Sequence, residues 1–270
     1  IPESFASWIR WKFGERIAND YMLPYNRKIW SMDPDDLGTY WLYKLPDVSF
    51  RETLQSCLEG KSFGALPAHG VFLYPKQYGY GEVWKRMADA LGDSLICGTS
   101  IHSIDLRNLT INNTWSAGHI FNSAPWHEWL RWTDIPDAIA TDIRELRSAS
   151  IDVDYIPDTI SDKAHWIYEP DESLPHHRKL LRSNFCLGST GYWTETNSTR
   201  NTESSAWRHT NPYAYPINTL GKPERVVRVL EWGKTCNITG FGRWGTWEHM
   251  NSDIAVKDAL ALALTTIKHV

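Results

Sequence analysis

Apolar residues at Phe5, Trp8, Ile9, Phe13, Ile17 and Ala18 recur at helical spacing, with Arg10, Lys12, Glu15 and Arg16 on the other faces. Behind Glu3 and Ser4, this predicts a helix over most of 4–19. Pro24 restrains the residue before it, and Asp33-Pro34-Asp35-Asp36-Leu37 reads as a turn opening another short helix. Residues 51–58 extend what looks like a small helical unit. From Gly70 the pattern changes to a short apolar stretch, a glycine turn, helical spacing over 83–91 and a strand-like run over 94–99.

Strands are predicted at 101–106, 109–112 and 119–123, followed by a helix over 136–147. Alternation then predicts strands at 151–155, 164–169, 178–185 and 192–196, whose short connections suit antiparallel pairing. Residues 203–210 are polar and read as a loop. Pro223 stands at a sensible first-turn position for a helix over 224–232. A further strand leads to Gly242, and 254–269 closes the chain as an amphipathic helix. The fold class is α+β: a helical piece, a mainly antiparallel sheet, and strand-helix elements at the end.

Composition narrows the functional classes. The 270 residues are 42% hydrophobic and 22% charged, ordinary values for a globular chain long enough for one large or two ordinary domains. A formal charge of −4 gives no electrostatic case for nucleic acid or an anionic membrane. No apolar run reaches the roughly 18 residues of a spanning helix, and the N-terminus lacks the basic and apolar regions of a secretory signal, so the expected compartment is the cytoplasm. Cys57, Cys97, Cys186 and Cys236 form no Cys-x-x-Cys pair, which argues against zinc and a disulfide framework. Sequons at Asn108, Asn112, Asn197 and Asn237 carry no weight without secretion. Fifteen tryptophans are the anomaly; sugar stacking and core volume both use their faces, and packing is expected for most.

The segment 241–253, Phe-Gly-Arg-Trp-Gly-Thr-Trp-Glu-His-Met-Asn-Ser-Asp, joins a strand to a helix. Gly242 permits close approach of a ligand, Arg243 supplies a cationic fork, and Asn251 or Ser252 caps a helix whose N-terminus attracts anions. A strand-turn-helix corner with Arg243 in an ion pair fits the pattern equally. Asn26 and Trp30, four apart, share a helix face and offer an amide and a ring to a base; a cap and a buried anchor are the competing roles. Arg178 presents a guanidinium suited to pyrophosphate. Asp152 and Asp154 share a strand face and read as a solvated edge before an acid-base pair. His165, His176 and His177 lack the spacing of a metal site, and no metal is expected.

Four segments together resemble the flavin-dependent UDP-galactopyranose mutases and the wider amine-oxidase and protoporphyrinogen-oxidase group. They are 21–30, Tyr-Met-Leu-Pro-Tyr-Asn-Arg-Lys-Ile-Trp; 74–84, Tyr-Pro-Lys-Gln-Tyr-Gly-Tyr-Gly-Glu-Val-Trp; 165–170, His-Trp-Ile-Tyr-Glu-Pro, with His177-Arg178 and 183–185; and the Gly-Arg segment. The resemblance implies a helical substrate subdomain at 1–62, an antiparallel substrate domain at 107–210, and a discontinuous FAD-binding, Rossmann-like domain from 63–106 and 211–270. It implies Arg178 and Tyr168 on the diphosphate of a nucleotide sugar, Tyr215 as a further phosphate contact, and Asn26 and Trp30 at the uridine. Gly79, Gly81, Gly242, Arg243 and Asn251 then face FAD. The flavin, not a side chain, carries the chemistry, so no catalytic residue is assigned.

Departures from the mutase pattern are Leu45 beside Lys44 in place of a second phosphate arginine, His249 in place of a tyrosine, and Tyr78 where the family keeps glycine. The Gly-x-Gly-x-x-Gly unit of a dinucleotide site does not occur in the sequence. The chain therefore reads as a fragment to be completed by an N-terminal FAD-binding segment, with a homo-oligomer as another partner. The competing functions are an amine-oxidase-type flavin oxidoreductase and a flavin-free module binding nucleotide sugar or glycan.

Overall fold

The computed structural model describes residues 2–42, 49–61, 63 and 71–267. Helix α1 (Phe5–Ile17) starts where the Ser4 hydroxyl accepts from the Ser7 amide at 3.3 Å, and Gly14, at φ 79°, kinks it. A π turn over Ala18–Met22 passes into α2 (Leu23–Trp30), which Ser31 stops in a left-handed conformation. A 3-10 turn at Pro34–Asp36 and α3 (Phe50–Glu59) complete the helical unit, as the periodicity predicts. The departure attached to Leu45 and Lys44 lies outside the described residues.

Helix α4 (Gly81–Leu91) follows the glycine turn. The strand expected over 94–99 does not form. A 3-10 turn at Gly92–Ser94 takes its start, and Leu95 and Ile96 are exposed, with no neighbouring strand among the described residues. Short strands β1 (Ile104–Asp105), β2 (Thr110–Ile111) and β3 (Trp115–Ser116) make a small antiparallel sheet. Strand β4 (Ile120–Asn122) instead pairs in parallel with β10 (Ile238–Gly240). Helices α5 (Trp126–Trp132) and α6 (Asp137–Glu145) follow β4; the first is an addition to the sequence reading.

The main sheet comprises β5 (Ser148–Ile156), β6 (Trp166–Tyr168), β7 (Arg178–Leu181), β8 (Tyr192–Asn197) and β9 (Arg208–Pro216), in the order β6-β7-β8-β5-β9 and antiparallel throughout. Two boundaries differ from expectation. The strand expected to run to Phe185 ends at Leu181 and turns into α7 (Arg182–Phe185), and the loop expected over 203–210 gives way to β9 at Arg208, where pairing with Asp154 starts. Helix α8 (Lys222–Thr235), α9 (Gly242–Gly245) and α10 (Ser252–Ile267) finish the fold.

Two cores hold this together. One packs Phe5, Ile9, Leu23, Trp30 and Leu37 of the helical unit against Ala149 and Ile217. The other surrounds the fully buried Trp126, Trp129 and Trp247 with Ile143, Val229 and Ile238. Strand β10 approaches α9 so closely that a Cβ on Gly240 would stand 2.2 Å from the Gly245 carbonyl oxygen, and one on Gly245 2.1 Å from that of Asn122. Only glycine fits there, which fixes the corner that carries Arg243.

Candidate functional site

Helix α2 lies against the main sheet through three buried polar ties. Lys28, fully buried, donates from Nζ to the carbonyls of Glu169 (2.8 Å) and Asp171 (2.6 Å), and Asn197 Nδ2 donates to the Ile29 carbonyl at 2.9 Å. Burial, opposed by Glu169 and Asp171, pulls the Lys28 ammonium down to about 8. These ties bring the 21–30 motif onto the sheet face that carries Tyr168 and Arg178, cross-strand partners on β6 and β7.

Arg178 is the centre of the cluster. Its Nε donates to Glu195 Oε2 at 2.8 Å, Nη2 donates to the same oxygen, and Nη2 also donates to the Tyr215 hydroxyl at 3.2 Å. Burial disfavours charge on both members of the Arg178–Glu195 pair, but their mutual attraction prevails: the guanidinium pKa rises and the carboxyl pKa falls. Tyr25 sets its ring edge-on to Tyr168 at 5.3 Å and to His177 at 6.0 Å. Burial raises the Tyr25 phenol well above its usual range, against the pull of Arg178. Among the described residues neither the Tyr25 nor the Tyr168 hydroxyl has a hydrogen-bond partner. One cation thus sits among three phenols, two of them with their polar ends uncommitted.

Tyr215 connects this cluster to the rest. Its ring meets Trp30 at 6.0 Å and His249 at 5.1 Å, and the Arg243 guanidinium lies 5.5 Å from its centroid. Asn26 and Trp30 share a face as expected, but they face each other: Trp30 Nε1 donates to Asn26 Oδ1 at 2.8 Å and Asn26 Nδ2 donates to the Met22 carbonyl at 2.7 Å, both residues being buried. His249, marked in the sequence only as a departure, packs on both Trp30 and Tyr215.

The residues assigned to the cofactor converge on the N-terminus of α10. The Tyr80 hydroxyl, between Gly79 and Gly81, is 2.7 Å from Ser252 Oγ. Arg243 donates from Nη2 to Met250 O at 2.7 Å and from Nη1 to Ala214 O at 2.7 Å, and burial lowers its pKa. Asn251 immediately precedes the helix and its carbonyl accepts from the Ala255 amide at 3.1 Å. Gly242 has φ 65° with nothing within 4 Å of where a Cβ would stand, and Gly79 has φ 74°. The open position at Gly242 and the left-handed turn at Gly79, beside a sixteen-residue helix N-terminus, fit the approach of an anionic cofactor. Tyr78, at φ 67°, adopts the left-handed conformation that explains a glycine preference there, at a cost of roughly 1–2 kcal/mol.

Glu195 and Tyr25 were not singled out by sequence reasoning. Pairing the strands at 178 and 192 in register reveals the first, since Arg178 and Glu195 are directly opposed. Asp152 and Asp154, by contrast, are committed to structure: Asp152 accepts from Ser198, Thr210 and Asn201, and Asp154 pairs with Arg208 at 2.7 Å.

No protein-family model matches the chain. Among solved structures it is similar to a reduced UDP-galactopyranose mutase, with a TM-score of 0.80 and 19% identity over 92% of this chain and 63% of that one. It is also similar to a putative protoporphyrinogen oxidase from Exiguobacterium sp. 255-15, with a TM-score of 0.61 and 14% identity over 90% of this chain and 63% of that one. A CLA-producing fatty acid isomerase from P. acnes gives a TM-score of 0.56 and 12% identity over 90% and 62%. The chain spans less than two thirds of the length of each. Its mixed helices and antiparallel sheets are those of the fold seen in the reduced UDP-galactopyranose mutase, over the part of that fold the chain spans.

Proposed function

We propose that the chain is the substrate-binding part, with one wall of the cofactor site, of a flavin-dependent mutase that interconverts the pyranose and furanose forms of a UDP-sugar. The observation that carries this is the Arg178 cluster: a guanidinium among Tyr25, Tyr168 and Tyr215, with two phenols uncommitted, in a fold shared with a mutase. A diphosphate there accepts hydrogen bonds from Arg178 and from the phenols, while Tyr25 and Trp30 close the apolar side. Bound flavin supplies the nucleophile for the anomeric carbon. The chain's own task is to hold the departing diphosphate in place and keep water from the reacting carbon.

Gly79, Gly81, Gly242, Arg243 and the end of α10 would line the near side of the cofactor. Arg243 already has two carbonyl ligands, and that specific feature favours a second reading, a flavin-free module that binds the nucleotide sugar without turning it over. Calorimetry with UDP and UDP-galactose, on this chain and on a complex with a dinucleotide-binding segment, tests both. Binding with turnover of the reduced complex supports the mutase, binding without turnover supports the module, and no UDP binding rejects both.

A further inference from the structure

The same sheet face continues past Arg178 into a cavity to which no role has been given. It has a volume of about 470 Å³ and is lined by Leu180, Arg182, Phe185, Trp193, Tyr74 and the Tyr78–Gly79 turn, with Cys186 and Ser189 at its margin. Arg178 and Leu180 lie two apart on β7, opposite Glu195 and Trp193 on β8, so all four point from one face. Arg178 to Arg182 covers about 13 Å if the chain were fully extended. The Arg178 cluster and the cavity therefore lie next to each other on one face of β7 and β8, and the cavity reaches the glycine turn.

The two arginines differ in how their charge is balanced. Arg178 is neutralised by Glu195. Arg182 lies over the rings of Trp193 (4.9 Å) and Tyr155 (5.1 Å) and donates from Nη1 to the Thr190 carbonyl at 2.8 Å. Among the described residues no carboxylate forms an ion pair with it. Stacking and the Thr190 bond fix the guanidinium plane, leaving Nε and Nη2 as uncommitted donors at the cavity. A half-buried, oriented, unbalanced cation in a cavity also lined by Trp193, Phe185 and Leu180 is complementary to a ring that carries an acid group.

Resting on the diphosphate reading of the Arg178 cluster, we propose that the Arg182 cavity receives the sugar ring and selects a carboxylated sugar, a hexuronate, the carboxylate pairing with Arg182 while the ring lies against Trp193 and Leu180. A neutral hexose fits the same space but leaves the guanidinium without a counter-charge. Charge-assisted bonds of this kind separate the two ligands by roughly tenfold or more.

The test is titration of the chain with UDP, UDP-galactose and UDP-galacturonate, repeated with Arg182→Gln and Arg182→Lys. The expected result is that UDP-galacturonate binds at least tenfold tighter than UDP-galactose, that Gln erases the difference without changing UDP affinity, and that Lys keeps part of it. Equal affinity of the native chain for the two sugars, with UDP bound, overturns the assignment and leaves the Arg178 reading intact. A preference that survives in Arg182→Gln also overturns it. Failure to bind UDP at all removes the Arg178 reading and this inference with it. Should the Gln variant not fold, the native comparison and the Lys variant still decide.

Discussion

At the scale of single residues the site depends on charges kept in partly buried places. Arg178 reads from the sequence as a diphosphate ligand alone, but the structure gives it a second duty to Glu195. The side chains keep 22% and 14% exposure, so removing the arginine should destabilise the fold by about 2 kcal/mol, below the full cost of breaking a buried pair. The same variant should lose about 1.5–3 kcal/mol of UDP binding, the range for bonds to a charged group. Urea melts and calorimetry measure the two separately. Unchanged stability would mean that the Glu195 pair contributes nothing. His177 leads to a pH dependence. It is fully buried, neither ring nitrogen is bonded, and Glu195 Oε2 stands 3.6 Å off. Burial lowers its pKa in spite of Glu195, and burial, followed by Lys179, takes His176 to about 4. Both folded values lie below the unfolded 6.5, so the unfolded chain takes up protons that the folded chain refuses, and stability is lost as pH falls from about 6.5 towards 4. The urea midpoint should drop between pH 7 and 4.5, and less so in a His176→Asn, His177→Asn variant. A native midpoint flat across that range would show that the two histidines are not buried neutral.

Among elements, α2 and the β10–α9 corner decide where the site residues stand. Lys28 fastens α2 to the β6–β7 connection that carries Glu169 and Asp171, and so sets Tyr25 against Tyr168. Lys28→Met keeps the stem but leaves two carbonyls unpaired, and should cost about 2–3 kcal/mol of stability while weakening UDP binding. Stability loss with native affinity would release Lys28 from any part in placing the tyrosines. Gly240→Ala should cost about 1–3 kcal/mol because Gly245 has no room to move. How much of this the sequence discloses depends on where the determining interaction lies. Helices α1, α4 and α8 are legible because the spacing of their apolar residues is local, with a Ser4 cap at α1, and β5 to β8 because they alternate. Helix α5 is seven residues, too short for periodicity to separate from a strand. The 94–99 run has a strand's pattern without a strand beside it among the described residues, and pairing is a property of two segments. The Arg178–Tyr168 pair was legible through motif order, whereas Glu195 required the β7–β8 register.

At the scale of the whole molecule the question is what covers the apolar surface on the side of the proposed cofactor site. Helix α4 buries no residue completely and exposes Val83, Trp84, Met87 and Leu91; α10 exposes Ile254, Leu260 and Leu264. Strands β4 and β10 form a parallel pair of their own, although parallel sheets are ordinarily covered on both faces by helices. These are the elements that line the near side of the proposed flavin site, and a dinucleotide-binding unit with the Gly-x-Gly-x-x-Gly turn would supply both the missing pyrophosphate cradle and a cover for the apolar faces. It follows that this chain by itself should not hold FAD tightly, since Gly79, Gly81, Gly242 and the α10 terminus offer only one wall. The chain saturated with FAD and then freed of excess ligand should emerge colourless, whereas a complex with the dinucleotide-binding unit should retain flavin. Stoichiometric yellow colour on the chain alone would overturn the one-wall assignment. In the complex, Arg243→Ala separates the two roles of that arginine: loss of flavin with an unchanged melt makes it a cofactor contact, and a lowered melt with flavin retained makes its bonds to Ala214 and Met250 its whole purpose.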